Sequence, residues 1–176
     1  MRTSWAIGVA AIVAAAAGTA GAQDRPQQQQ QKMQKQQAQQ ANPAMEATKH
    51  VAVVNAGLDT AETNAKMLQE ITKDPQAYDR AHGQLFVKNI REALGQAQAH
   101  AAHLAPLATT DAQKQQYQQL QQSTARANQM AQSLQAKLGN PQQLNAAAGQ
   151  LTQELDGTEK PLQQLAKDMN VQIDVG

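Results

Sequence analysis

Four runs of apolar residues, each repeating at alternating intervals of three and four, constrain the fold of this chain more than any other feature. Such spacing places the apolar side chains along one side of an α-helix, and it is typical of helices that pack lengthwise, as in a coiled coil. We call each run a seam. The seams consist of Ala47, Val51, Val54, Leu58, Ala61, Ala65 and Leu68; Val87, Ile90, Leu94, Ala97, Ala101 and Leu104; Tyr117, Leu120, Thr124, Ala127, Ala131, Leu134 and Leu138; and Leu144, Ala148, Leu151, Leu155, Leu162, Leu165 and Met169.

Each seam follows a helix-start signal, a capping side chain with proline or an acidic residue in the first turn. These signals are Asn42-Pro43, Asp74-Pro75, Thr110-Asp111 and Asn140-Pro141. They predict helices at about 43–73, 75–107, 111–138 and 141–170, with Pro106 ending or bending the second helix and Gly157 and Pro161 kinking or splitting the fourth. Helices joined by such short turns run antiparallel to their neighbours, so the sequence predicts an all-α, up-down-up-down antiparallel four-helix bundle. A longer hairpin that completes its core by dimerising is the alternative.

Composition supports helices and excludes several classes of protein. Hydrophobic residues make up 41% of the chain but aromatic residues only 2%, and about one residue in five is glutamine. Alanine, glutamine and leucine favour helices, whereas the residues that suit strands are scarce. The chain has no cysteine, which excludes disulfides, thiolate metal sites and covalently attached haem. A net charge of +1 with no basic stripe argues against nucleic-acid binding.

The N-terminal 41 residues do not continue the helical pattern. Residues 1–22, "MRTSWAIGVAAIVAAAAGTAGA", combine one positive residue, a short apolar run and small residues before Gln23, which is the layout of a cleavable secretory signal peptide. The apolar run is short for a membrane anchor, which needs about 20 residues. The composition of residues 23–41 predicts a disordered, Gln-rich, low-complexity linker. Residues 42–176 are predicted to form the bundle. We therefore expect a periplasmic or extracellular protein without stable membrane insertion after cleavage.

Three histidines are the candidate metal ligands. If each turn is treated as a sharp fold, His50, His100 and His103 lie at one level of the bundle, with Glu159 nearby. Inward-facing histidines and carboxylates at one level are how helical bundles build metal sites. Helical angles, however, place all three on the flanks of their seams, with His103 towards solvent or another helix. We therefore expect a flank pair of half-exposed polar residues and no cofactor, and a zinc or copper site at His50, His100 and His103 is the alternative.

No catalytic motif accompanies these features. The sequence contains neither G-x-S-x-G nor H-E-x-x-H, and Glu-x-x-His is also missing. We therefore expect no enzyme, but an exported, non-catalytic bundle that acts as a binding, interaction or envelope structural module. Its partner is an unidentified protein or a second copy, and the Gln-rich third helix is the candidate contact. A small periplasmic metal-binding protein based on the histidines is the alternative function.

Overall fold

A computed structural model describes residues 42–172; the predicted signal peptide (1–22) and linker (23–41) lie outside the described residues. Within that range the chain forms four α-helices packed together and no β-strand, so the predicted all-α four-helix bundle is confirmed at this level. The helices are α1 (Pro43–Ile71), α2 (Arg80–Ala102), α3 (Asp111–Lys137) and α4 (Pro141–Asp168), with a short 3₁₀ helix at Ala105–Leu107. None of the helices in this range is long and apolar enough to cross a membrane.

Side-chain caps explain where three of the helices begin. Asn42 and Asn140 each accept a hydrogen bond from a backbone N–H of the first turn of α1 and α4, and proline follows each of them. At α3, the Thr110 hydroxyl accepts from the backbone N–H of Gln113 at 3.2 Å, while the Gln113 side chain accepts from the backbone N–H of Thr110 at 3.0 Å. This reciprocal capping box satisfies two backbone donors that a helix start leaves free.

The second helix begins at Arg80 and not at residue 75, which corrects the sequence prediction. The Asp74 carboxylate accepts from the backbone N–H of Gln76 at 2.9 Å, so it closes a local turn and does not cap a helix. Asp79 is the actual cap, accepting from the backbone N–H of Ala81 at 2.8 Å. Between the two, the Tyr78 hydroxyl donates to the carbonyl of Leu138 at 3.2 Å and ties the loop to the end of α3.

Proline acts differently in the second and fourth helices. Helix α2 ends at Ala102, and Pro106 lies in the 3₁₀ helix that follows, so the chain leaves the α-helix before the proline. Helix α4 continues without a break through Pro161. Pro161 deprives the carbonyl of Gly157 of its usual donor, but Gly157 is exposed, so water can replace the lost hydrogen bond. Pro161 therefore does not split α4.

The core consists of the four seams. Every seam residue is buried except Tyr117, which is half-buried and packs against the core. The two fully buried threonines bring hydroxyls into this apolar layer, and each donates to a carbonyl one turn earlier: Thr124 to Leu120 at 2.7 Å and Thr158 to Glu154 at 2.8 Å. Among the described residues, no buried side-chain nitrogen or oxygen is left without a partner. Leucine and alanine of the seams therefore make up most of the core, and the polar side chains buried with them are hydrogen-bonded.

Small residues set the distance between α1 and α2. Around the bundle, α1 packs against α2 and α4, and α3 packs against the same two helices. Gly57 of α1 is buried against α2: a Cβ atom on it would lie 2.9 Å from the Ala93 carbonyl oxygen and 3.0 Å from the Ala97 Cβ. The backbones of the two helices can approach this closely only because Gly57 has no side chain.

We predict that Gly57→Ala destabilises the protein although alanine is the better helix former. The added methyl group must push α1 away from α2 and disturb the seams on both sides of the contact. Gly95→Ala is the matched control, since a Cβ on Gly95 of α2 has nothing within 4 Å. It should stabilise the protein by about 0.5–1 kcal/mol through helix propensity. Urea denaturation measures both changes, and two stabilised variants would contradict the close contact.

Candidate functional site

Three histidines from two helices meet at one end of the α1–α2 pair. His50 lies in the second turn of α1, His100 in the last turn of α2, and His103 caps the C-terminus of α2. The capping signal at Asn42 and the helix end before Pro106 fix the lengths of the two helices, and the seams fix their mutual register. The sequence thus places histidines near the start of one helix and the end of its neighbour, and packing brings them together.

The three rings are in contact. The Nδ1 atoms of His50 and His100 are 3.1 Å apart. The ring of His103 stacks on that of His50, with centroids 4.7 Å apart and planes inclined by 20°. The centroids of His50 and His100 are 5.2 Å apart, and those of His100 and His103 are 6.2 Å apart. The structure therefore gathers all three predicted residues, with His103 lying against His50 of the other helix.

Burial and neighbouring charges act on His50 in a definite direction. Its side chain is 19% exposed, and desolvation lowers its pKa below the ordinary 6.5, since burial disfavours the protonated ring. Repulsion from His103 and His100, and to a smaller extent from Lys49, lowers the pKa further, whereas Glu46 opposes the shift. Together these groups favour the neutral imidazole of His50, which is the form that accepts a hydrogen bond or binds a metal ion.

Glu46 is a member of the site that the sequence analysis did not include. It lies one turn before His50 on α1, and its Oε2 is 3.9 Å from the Nε2 of His50. Its other oxygen accepts a hydrogen bond from Lys49 at 2.9 Å, which together with the charge of Lys49 lowers the pKa of Glu46 and keeps it ionised. The i, i+4 spacing of Glu46 and His50 was the sequence signal that pointed to this pair.

The carboxylate of Glu46 selects one tautomer of His50. A negative charge near Nε2 favours the proton on that nitrogen, which leaves the lone pair of Nδ1 facing His100. With His50 in that tautomer, the 3.1 Å contact is a hydrogen bond in which the Nδ1–H of His100 donates to His50, and the opposite tautomers would reverse it. The site therefore presents one unprotonated imidazole nitrogen, with a second that becomes available when His100 moves its proton to Nε2.

His103 does not converge with this pair. The lone pairs of imidazole nitrogens lie in the ring plane, and the planes of His103 and His50 are almost parallel, so their lone pairs do not meet at one point. Among residues 42–172, no group of three or more histidine, aspartate or glutamate side chains is arranged to hold a metal ion. The close contact between the Nδ1 atoms of His50 and His100 is thus separate from the stacked ring of His103.

Glu159 does not lie at the level of the histidines, contrary to the sequence analysis. Its pKa is raised by burial and by the nearby carboxylates of Glu62, Asp59 and Asp156, with Lys66 opposing the shift. Glu62 is about three turns beyond His50 on α1, so Glu159 belongs to a different level. Glu159 therefore lies near Glu62 and Asp59 and is not among the groups that shift the pKa of His50.

We compared the chain with known protein families, curated proteins and solved structures. No protein-family model, no curated protein and no solved structure matches the chain. The proposals for its function therefore rest on the sequence and on the contacts of the described residues.

We predict that His50 makes the folding stability depend on pH. Because its pKa is lower in the folded protein, the unfolded chain binds more protons as the pH falls below the ordinary value of 6.5. Stability should therefore be fully present above 6.5 and decline as the pH falls towards the lowered folded pKa. Glu46, Lys49, His100 and His103 are the groups that face the ring.

The measurement is urea denaturation in steps from about pH 7.5 to pH 5.5, the range in which histidine titrates. His50→Gln should reduce the decline in stability relative to the unmodified protein, because the glutamine side chain does not titrate. Ala52→Gln, an exposed change on the same helix that removes no titratable group, should leave the decline unchanged. Equal declines for His50→Gln and the unmodified protein would refute this assignment.

Proposed function

We propose that this chain is an exported, non-catalytic helical-bundle protein that acts as an interaction or envelope structural module and associates with a second copy of itself through α3. The observation that carries this proposal is the outer side of α3. We call it the outer stripe, and its seven residues repeat at alternating intervals of three and four: Gln115, Gln118, Gln122, Ala125, Gln129, Gln132 and Ala136.

The outer stripe lies almost opposite the buried seam of α3. Each of its residues precedes a seam residue by two positions, which is a rotation of about 160° around the helix. All are exposed except Ala125, which is half-buried. The only charged residue between Lys114 and Lys137 is Arg126, and it is paired with Glu154 of α4 at 2.8 Å. The stripe is therefore an uncharged surface with the spacing of a coiled-coil contact.

A second copy of the chain fits this surface best. The centres of protein interfaces are depleted in charged residues, and most soluble oligomers are symmetric, so one surface meets itself. A glutamine side chain both donates and accepts hydrogen bonds, and a row of glutamines is therefore complementary to the same row on a partner. The alanines of the stripe leave room for two helices to approach.

We also propose that the four helices follow an up-down-up-down order. Polar contacts between neighbouring helices support it, because early residues of one helix contact late residues of the next. The supporting pairs are His50 with His100, Asn64 with Asn89, Gln113 with Asp168, and Arg126 with Glu154. Within α1 and α2, and within α3 and α4, the contacting residue in the second helix has a lower number when the one in the first helix has a higher number. Antiparallel packing requires this relation.

Export is the remaining part of the proposal. The three-part composition of residues 1–22 supports a secretory signal peptide, with residues 23–41 as a linker to the bundle. In a bacterium, such a protein is periplasmic or extracellular. The small residues Ala20 and Ala22 occupy the two positions that define the cleavage site before Gln23.

Metal binding in the periplasm is the second candidate function, and one observation favours it. The ring of His50 contacts the rings of His100 and His103, which lie about 50 residues later in the sequence, at the end of the α1–α2 pair. Imidazole is a good ligand for zinc and copper. This candidate function uses a different surface from the outer stripe, so the two can be tested separately.

We predict that exported protein begins at Gln23. Intact-mass measurement of protein recovered from the periplasm or the medium should give the mass of residues 23–176. A mass that retains residues 1–22 would instead indicate an uncleaved N-terminal anchor and would contradict the assignment of a cleavable signal.

We also predict that charge on the outer stripe prevents dimer formation. In the double variant Gln122→Glu, Gln129→Glu, like charges face each other across a two-fold axis. Their repulsion should raise the dimer Kd at least tenfold, which is a loss of about 1.4 kcal/mol in the free energy of association. The matched control is the double variant Gln84→Glu, Gln96→Glu, which adds the same charge on the exposed side of α2. It should not change the dimer Kd. Sedimentation velocity over a concentration series measures all three proteins. A monomeric unmodified protein, or a doubly charged stripe that still dimerises, would contradict the proposal.

A further inference from the structure

We infer that the Nδ1 atoms of His50 and His100 form a two-nitrogen chelate for a borderline transition-metal dication, Zn²⁺ or Cu²⁺, with water completing the coordination. This inference rests on the second candidate function and names its donor atoms. The site uses one histidine from each of α1 and α2, so a bound ion would join the two helices at their shared end.

The separation of the two nitrogens matches ligands on one metal ion. Two nitrogens bound to a tetrahedral zinc at 2.0–2.1 Å lie about 3.4 Å apart. At the same bond length and the right angle of a square-planar Cu²⁺ site, they lie about 2.9 Å apart. The observed 3.1 Å between His50 and His100 falls between these values. In the hydrogen-bonded arrangement an N–H points along the line between the two nitrogens, so both rings must turn before their lone pairs meet on one ion.

The tautomers of the two rings decide whether both Nδ1 atoms can bind an ion. Glu46 favours the proton on the Nε2 of His50 and so leaves its Nδ1 free, as a carboxylate behind a metal-binding histidine commonly does. With its proton on Nε2, His100 also presents the lone pair of its Nδ1, and the half-buried position of this residue lets the proton exchange with solvent.

His103 is a positioning residue in this site and not a ligand. Its ring stacks on that of His50 at 4.7 Å and restricts rotation of His50 away from His100. His103→Phe keeps a flat ring in that place and removes both nitrogens, so it should retain metal binding. His103→Ala removes the ring and should weaken binding. A ligand role for His103 would instead make both variants equally deficient.

The test is isothermal titration calorimetry of the metal-free full chain with ZnCl₂ alone and, separately, with CuCl₂ alone. We expect saturable one-to-one binding, tighter for Cu²⁺ than for Zn²⁺, as the usual order of metal affinities requires. His50→Gln and His100→Gln should each weaken binding at least tenfold. His82→Gln is the matched control, because it removes a histidine outside the cluster and should bind as the unmodified protein does.

Two further measurements keep the result unambiguous. Far-UV circular dichroism of each variant shows that lost binding does not reflect unfolding. Long-range ¹⁵N–¹H spectra of the Zn²⁺-loaded chain should show coordination at the Nδ1 of His50 and His100 and not at His103. Zn²⁺ should also raise the unfolding midpoint, since it binds the folded protein, and this rise should disappear in His100→Gln.

The possible failures are distinguishable. Saturable binding that survives both His50→Gln and His100→Gln would overturn this site while leaving metal binding as a function of the protein. The lack of saturable heat with either metal would overturn the site and the second candidate function together. Neither result would bear on self-association through the outer stripe, which lies on α3.

Discussion

The close approach of α1 and α2 is the contact on which the rest of the structure depends. The chain has few large apolar side chains, and each buried alanine removes little surface from water. Gly57 against Ala93 and Ala97 lets the two backbones come near enough for the small and large side chains of the two seams to pack together. The same short distance brings His50 of α1 to His100 of α2. Core packing and the candidate site thus have one geometric cause.

Periodicity made the helices and their buried sides predictable. Each seam repeats over several turns, so a misplaced residue changes the pattern little, and the buried residues agree with it from Ala47 to Met169. The start of α2 was not predictable in this way, because Asp74 and Asp79 carry the same capping side chain. The choice between them depends on tertiary contacts, among them the bond from Tyr78 to the end of α3, which local sequence does not reveal.

The three histidines of the candidate site were predictable, but its geometry and its further member Glu46 were not. The sequence analysis placed His50 and His100 at one level from the helix lengths and the expected antiparallel neighbours. The stacking of His103 on His50 depends on rotamers, which are decided by three-dimensional contacts. Glu159 shows the same limit, because its neighbours are the carboxylates of Glu62 and Asp59 and not the histidines, a pairing that the assumption of sharp turns did not predict.

The two proposals occupy separate parts of the bundle, and this separation has a consequence for how they would combine. The histidines lie on α1 and α2, whereas the outer stripe faces away from the core on α3, which packs against α2 and α4. A two-fold dimer through α3 would leave both histidine pairs open to solvent. Coupling between two sites requires that each ligand favour one of two global states. The two sites share no residue and lie on different helices, so we expect metal binding and self-association to be independent.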